Sequence, residues 1–272
     1  MKILRTILLP ALLLLALLCP KVGQANSGNN GYATQIREGK SALNKKLWRK
    51  AIEHFHNALS WDRDSVSAHL GLGQAYVHLG RKNHATREFN TVLYHRPGLS
   101  SAKEGLEIVQ KPDYYDTFFV EISNFAKETP GNALIRATLA DQLMRRKQPE
   151  EARKEAEEAI KLNPKLGDPY CTLGHLLIAE GKDEEARPLL LKAIRLDRFD
   201  DDAFAALGDL EVKQKRYKQA ASYYRTAVGL APDEVAEYKK LLVVLTELKR
   251  DEEVEKTKRT LSELEKVQNK TP

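Results

Sequence analysis

The sequence predicts an all-α fold, a solenoid of about seven antiparallel helix pairs, and three observations carry that prediction. Apolar residues recur at three- and four-residue intervals within short segments, the signature of amphipathic helices. The same apolar pattern returns every 34 residues through most of the 272-residue chain. Prolines stand at one repeated offset behind the second segment of a pair, at Pro97, Pro164 and Pro232, where a helix must stop.

The stretch Asp201–Glu234 shows the pattern most clearly. Its periodicity predicts one helix over Asp202–Gln214 and another over Tyr217–Val228, joined by a short turn. Gly208 and Ala220 are expected to face each other across the pair, because small side chains let helices cross closely, while Tyr217 and Tyr224 fill wider gaps. Such a hairpin buries too little to hold its own backbone, so it needs similar units on both sides.

Those units are present. Gly167–Asp200 carries Tyr170, Leu173, Gly174, Gly181, Ala186, Leu190 and Ala193 at the corresponding places, and Ala133–Leu166 carries Leu139, Ala140, Leu143, Ala152, Ala156, Ala159 and Pro164. Val66–Leu99 has Leu72, Gly73, Tyr76, Gly80, Ala85, Phe89 and Pro97, and Tyr32–Ser65 has Gly39, Ala42, Trp48, Ala51, Phe55 and Ala58. With these residues in one register, the chain resembles the tetratricopeptide-repeat family over nearly its whole length after the first 31 residues. The resemblance implies a right-handed superhelix whose first helices line a concave groove.

Met1–Ala25 reads as a signal peptide: Lys2 and Arg5, an apolar run Ile7–Leu18, then Gly23-Gln24-Ala25 before a cleavage site. The apolar run is too short to span a bilayer as a helix of about twenty residues. Lipidation of Cys19, giving an outer-membrane lipoprotein of pilus or secretion-system assembly, is the alternative; Leu18 and Pro20 flanking that cysteine argue against it. The expected location is therefore periplasmic. Loss of Lys2, Arg5 and Lys21 would lower the formal net charge from +6 to +3, and the remaining charges are interspersed, so nothing points to nucleic acid. Only Cys171 survives such cleavage, so no internal disulfide is expected.

Asn26–Gly31 is expected to be a flexible lead-in. Six of the seven histidines, His54, His56, His69, His78, His84 and His95, fall in the first two units, which raises the alternative of a metal-binding enzyme. None of them are four residues apart, the spacing that puts two imidazoles on one helical face, so no metal site and no cofactor are predicted. Nucleophile elbows and phosphate-binding glycine loops are absent, and a non-enzymatic role is expected.

The third unit, residues 100–132, is degenerate and one residue short. Its first helix should end before Lys111-Pro112-Asp113, and the second, from Tyr114 to Lys127, is rich in aromatic rings. Phe118 stands where the family has alanine, so the regular stack should bend or open here. Tyr114, Tyr115, Phe118 and Phe119 either fill the space left by the short helix or form a second interface. Val235–Gln268 is a capping pair, with Tyr238, Leu241, Leu245, Val254, Leu261 and Leu264 on its apolar face, followed by a tail at Asn269–Pro272.

The resemblance also implies where a ligand would lie. The family's fifth groove positions fall on Ile36, Leu70, Ala137, Cys171 and Ala205, the ninth on Lys40, Gln74, Asp141, His175 and Asp209, and the twelfth on Leu43, Val77, Met144, Ile178 and Val212. An apolar row beside a polar one suits a peptide segment or partner protein with one apolar side. The residues with which some members grip a chaperone's terminal carboxylate are not reproduced: Lys40 matches, but Leu70, Gly71 and Gln74 do not complete the set.

Overall fold

A computed structural model describes residues 30–268, as fourteen α-helices with no strand among the described residues. The expected signal peptide Met1–Ala25, Cys19 and the tail lie outside these residues. The helices form seven pairs: α1 (Asn30–Asn44) with α2 (Trp48–Leu59), α3 (Val66–His78) with α4 (Lys82–His95), and α5 (Ser100–Gln110) followed by α6 (Tyr114–Glu128). Then come α7 (Ala133–Arg145) with α8 (Pro149–Leu162), α9 (Asp168–Ala179) with α10 (Asp183–Leu196), α11 (Asp201–Lys213) with α12 (Tyr217–Leu230), and α13 (Val235–Glu247) with α14 (Asp251–Gln268). Asn30 and Gly31, expected in the lead-in, already belong to α1. A Cβ on Gly31 would lie 2.8 Å from the Trp61 ring, so glycine lets that indole close on the first turn.

Two compact units divide inside α6, between Phe118 and Phe119. In the first, α3 is the central element and packs against α1, α2, α4 and α5. In the second, α9 occupies the same kind of place among α7, α8, α10 and α11, and α13 packs on α12 and α14. The inner helices α3, α9, α11 and α13 thus each rest on their own partner and on the pair before it, as the burial argument requires.

The turns within the pairs follow one rule. Lys46, Gly80, Lys147, Gly181, Lys215 and Lys249 all have positive φ, between 53° and 75°. Each sits two residues beyond its first helix and donates to a carbonyl three residues back, while the next residue donates five back. For Lys147 and Gln148 both bonds, to Met144 and Leu143, are 3.0 Å. This is the Schellman arrangement, which satisfies the last helical carbonyls. A left-handed lysine costs about 1–2 kcal/mol relative to a right-handed one, but its cation beside the helix C-terminus returns roughly 0.3–1 kcal/mol. The third pair has no left-handed residue; Lys111-Pro112-Asp113 makes its turn.

Large side chains from the second helices fill the gaps that glycines leave on the first. A Cβ on Gly39 or Gly71 would come within 2.6 or 2.3 Å of the Phe55 ring, and one on Gly174 within 2.6 Å of Leu190. Gly208 behaves likewise: the Tyr224 ring lies against it, with a Cβ there 2.5 Å from Cε1. Gly208 thus makes room for an aromatic face from α12, and Ala220 of the same helix is fully buried.

Three inner helices, α3, α7 and α11, begin on polar caps: Ser65 accepts from the Ala68 amide at 3.3 Å, Asn132 from Leu134 and Ile135, and Asp200 from Ala203 at 3.2 Å. Ion pairs tie successive pairs together, notably Arg187 with the buried Glu211 and Arg225 with Glu253 at 2.6 Å.

Candidate functional site

In the second unit the fifth positions, Ala137, Cys171 and Ala205, are buried. Small residues there bring α7, α9 and α11 together, so they support a surface and do not form it; this corrects the expectation that they face a ligand. Cys171 lies with its Sγ 3.9 Å from Asp200 Oδ1. The ninth and twelfth positions, by contrast, are only partly covered: Asp141, His175 and Asp209 in one row, Met144, Ile178 and Val212 in the other. Ile178 leans on the cluster of Leu177, Leu190 and Leu207, and Val212 on that of Leu241, Val244 and Leu245.

Charges cross this face in a connected series. Arg145 donates from Nε to both carboxylate oxygens of Asp141, at 3.1 and 3.0 Å, and from Nη2 to Asp202 at 2.9 Å. That bridge runs from α7 to α11, over a separation of 57 residues. On α9, burial pulls the His175 pKa below its usual value, although Asp202 and Asp141 pull it up. Asp209 accepts from the Tyr224 hydroxyl at 2.6 Å and from Lys240 at 2.9 Å. Burial and then that carboxylate bond hold the Tyr224 phenol well above the ordinary tyrosine range. Burial likewise raises the Glu237 carboxyl, against the attraction of Lys240. Arg145, Asp202, Glu237 and Lys240 belong to this surface, yet the groove rows did not contain them. Asp202 stands at the second position of its repeat, which none of the three rows covered; the reach of Arg145 across a whole helix pair had no signal in the sequence.

The first unit differs. Ile36 and Lys40 are partly exposed, but Leu43, Leu70, Gln74 and Val77 are buried, which corrects their placement on a binding row. Every residue of α3 from Leu70 to Val77 is buried, because four helices surround it. Tyr114 adds to this closure: its hydroxyl donates to the Val77 carbonyl at 3.1 Å, and its ring stacks on Phe118 with centroids 6.1 Å apart. The Phe118 ring lies on Gly80, where a Cβ would be 2.5 Å away. Tyr114 is therefore core and not interface. Tyr115 remains 44% exposed beneath Lys82, and Phe119 is half-buried with the Arg146 guanidinium 4.2 Å from its ring centre.

Among the described residues, no group of three or more His, Cys, Asp or Glu side chains could hold a metal ion. The early histidines serve packing and hydrogen bonding. His54 meets Gln35 at 2.9 Å, His56 meets Tyr76 at 3.2 Å, and His78 stacks on Trp48 with centroids 3.9 Å apart. Burial, helped by nearby Lys46, lowers the His78 pKa to about 4. No helix among the described residues is long and apolar enough to cross a membrane.

Helix pairs joined by left-handed turns and packed in succession define an α-helical repeat protein. Residues 43–104 and 171–235 each match a family model described as tetratricopeptide repeat. Over these residues the chain is built of tetratricopeptide repeats. No curated protein matches it. Among solved structures, a chain of the Cut9–Hcn1 hetero-tetramer of APC/C aligns with a TM-score of 0.55 at 14% identity, over 87% of this chain and 48% of that one. PilF of Pseudomonas aeruginosa aligns at 0.44 and 18%, over 87% and 92% of the two chains, and MamA at 0.45 and 19%, over 58% and 92%. At such identities the likeness concerns the fold alone. The repeats make the chain a protein-interaction scaffold.

Proposed function

We propose that this scaffold is non-enzymatic and holds a peptide segment or partner protein along α7, α9 and α11, in the cell envelope. The observation that carries the reading is the partly exposed apolar row Met144, Ile178 and Val212 beside the polar row Asp141, His175 and Asp209. A ligand with one apolar side can bury it on the first row and hydrogen-bond along the second. Changing Ile178→Gln and Val212→Gln together, with helicity and thermal midpoint checked, should reduce partner recovery in envelope crosslinking at least tenfold. Undiminished recovery would remove the assignment of this face.

Export rests on the basic start, apolar run and small residues within Met1–Ala25. Mass spectrometry of the mature chain from its native host should find Asn26 at the amino terminus. A diacylated Cys19 would instead make the protein a membrane-tethered lipoprotein, and an intact Met1 would overturn cleavage after Ala25 in favour of an uncleaved segment.

A further inference from the structure

We propose that the segment held on this face is amphipathic and cationic, with lysine or arginine side chains directed at the carboxylates of Asp141, Asp202 and Asp209; this rests on the reading of the face given above. The first argument is the sign of the charge. The face carries Asp141, Asp202, Asp209 and Glu237 against two cations, Arg145 and Lys240, so it is acidic on a chain whose formal net charge is +6. An approaching anion would meet like charge, and the cations that could receive it are already engaged with aspartates.

The second argument is geometric. Asp141 and Asp202, from α7 and α11, already hold a guanidinium between them, and Asp209 holds an ammonium at 2.9 Å. Both groups come from the chain itself and show which chemistry these carboxylates accept. Arg145 is 43% exposed and Lys240 37%. The Lys240–Asp209 pair, open on both sides, contributes only about 0–1 kcal/mol, so a partner's basic side chain can displace Lys240 at little cost; Asp141 is 13% and Asp202 31% exposed, and a basic side chain reaches them by taking the place of Arg145. The partner's apolar side then lies on Met144, Ile178 and Val212.

The test uses the full chain and two fluorescein-labelled amphipathic helical peptides of equal length, one of Leu and Lys, the other of Leu and Glu. The Leu/Lys peptide should bind at least tenfold more tightly by anisotropy, with affinity falling as salt rises. Asp141→Asn with Asp202→Asn should weaken it at least fivefold, and Ile178→Gln with Val212→Gln should weaken it too. Equal or tighter binding of the Leu/Glu peptide to the unmodified chain overturns the charge assignment without recourse to any variant. If the Gln pair weakens the Leu/Lys peptide and the Asn pair does not, the face stands and its cationic preference falls. If neither pair weakens it, both readings fall.

Discussion

Phe89→Ala should lower the free energy of unfolding by about 3–5 kcal/mol, toward the upper end of that range. The Phe89 side chain is fully buried and belongs to α4, but it fills space on two other helices. A Cβ on Gly73 of α3 would be 2.6 Å from its ring, and one on Gly105 of α5 would be 2.4 Å away. The ring thus stands in for two missing side chains. Once it is removed, the void is bounded by helix backbone, which moves far less readily than a side chain, so the cavity persists. Urea unfolding of the full chain measures the effect, with Tyr94→Ala as the internal comparison. Tyr94 is on the same helix and 83% exposed, so its loss should stay within about 0.5 kcal/mol. Comparable losses for the two would contradict ring-on-glycine packing as the element that joins the second and third pairs.

Glu88→Gln should cost about 3–5 kcal/mol as well, because it leaves one member of a buried ion pair without its counter-charge, and it should flatten the dependence of stability on pH. His69 Nδ1 lies 2.6 Å from Glu88 Oε2, and Nε2 lies 2.9 Å from the Arg63 carbonyl oxygen. Both ring nitrogens face acceptors, so both must donate, and the ring is an imidazolium. Arg87 donates twice more to Glu88, at 2.9 and 2.8 Å. Burial alone would depress the His69 pKa, and Arg87 opposes the charge too, but the Glu88 bond and charge, with the Arg63 carbonyl, raise it above 6.5. For Glu88, burial would raise the pKa, yet the His69 bond and the Arg87 charge bring it from 4.5 to about 2.

The two signs bound a window. The histidine contribution is complete below pH 6.5 and is lost as pH rises through the raised folded value. The carboxylate contribution is complete above pH 4.5 and is lost as pH falls toward 2. The contribution of this cluster should therefore be level between about pH 4.5 and 6.5 and fall on both sides, superimposed on the rise in stability with pH that His78 adds between about 4 and 6.5, where the unfolded chain binds the extra proton. Glu88→Gln removes the acid flank directly and the alkaline flank by returning His69 toward its ordinary value. An unchanged pH profile in that variant would show that this cluster does not govern it.

The helices were legible because packing restricts residue size at fixed spacing: Gly208, Ala220 and Tyr224 each report a steric demand that recurs 34 residues away, at Gly174, Ala186 and Leu190, and Pro232 one that recurs two repeats away, at Pro164. The pairing of those demands was less legible. Periodicity places Gly208 and Tyr224 on facing sides, but whether a glycine receives a neighbour's Cβ or its ring depends on interhelical distance. The turn lysines were hidden for a related reason, since a C-terminal cap is ordinarily sought as glycine and the chain uses Lys46, Lys147, Lys215 and Lys249. The buried state of Gln74 had a signal that the groove rule overrode: α3 carries no Asp, Glu, Lys or Arg, and a helix without a charged face belongs inside. Of the candidate site, the rows on α7, α9 and α11 were readable from position in the repeat, whereas the Arg145 bridge depends on side-chain reach across folded elements.

The recurring left-handed turn also sets the grain at which this chain can be edited. Excising Lys147–Glu180 would splice Arg146 directly to Gly181, exchanging one left-handed residue for another, keeping α7 and α10 whole and letting them form a new hairpin. From Gly80 to Lys147 the interval is one residue short of two such modules, and the intervening turn has no left-handed member, so a cut there finds no matching seam. The second unit can therefore gain or lose length in whole modules of 34 residues, whereas the turn of the aromatic third pair offers no seam for such an exchange.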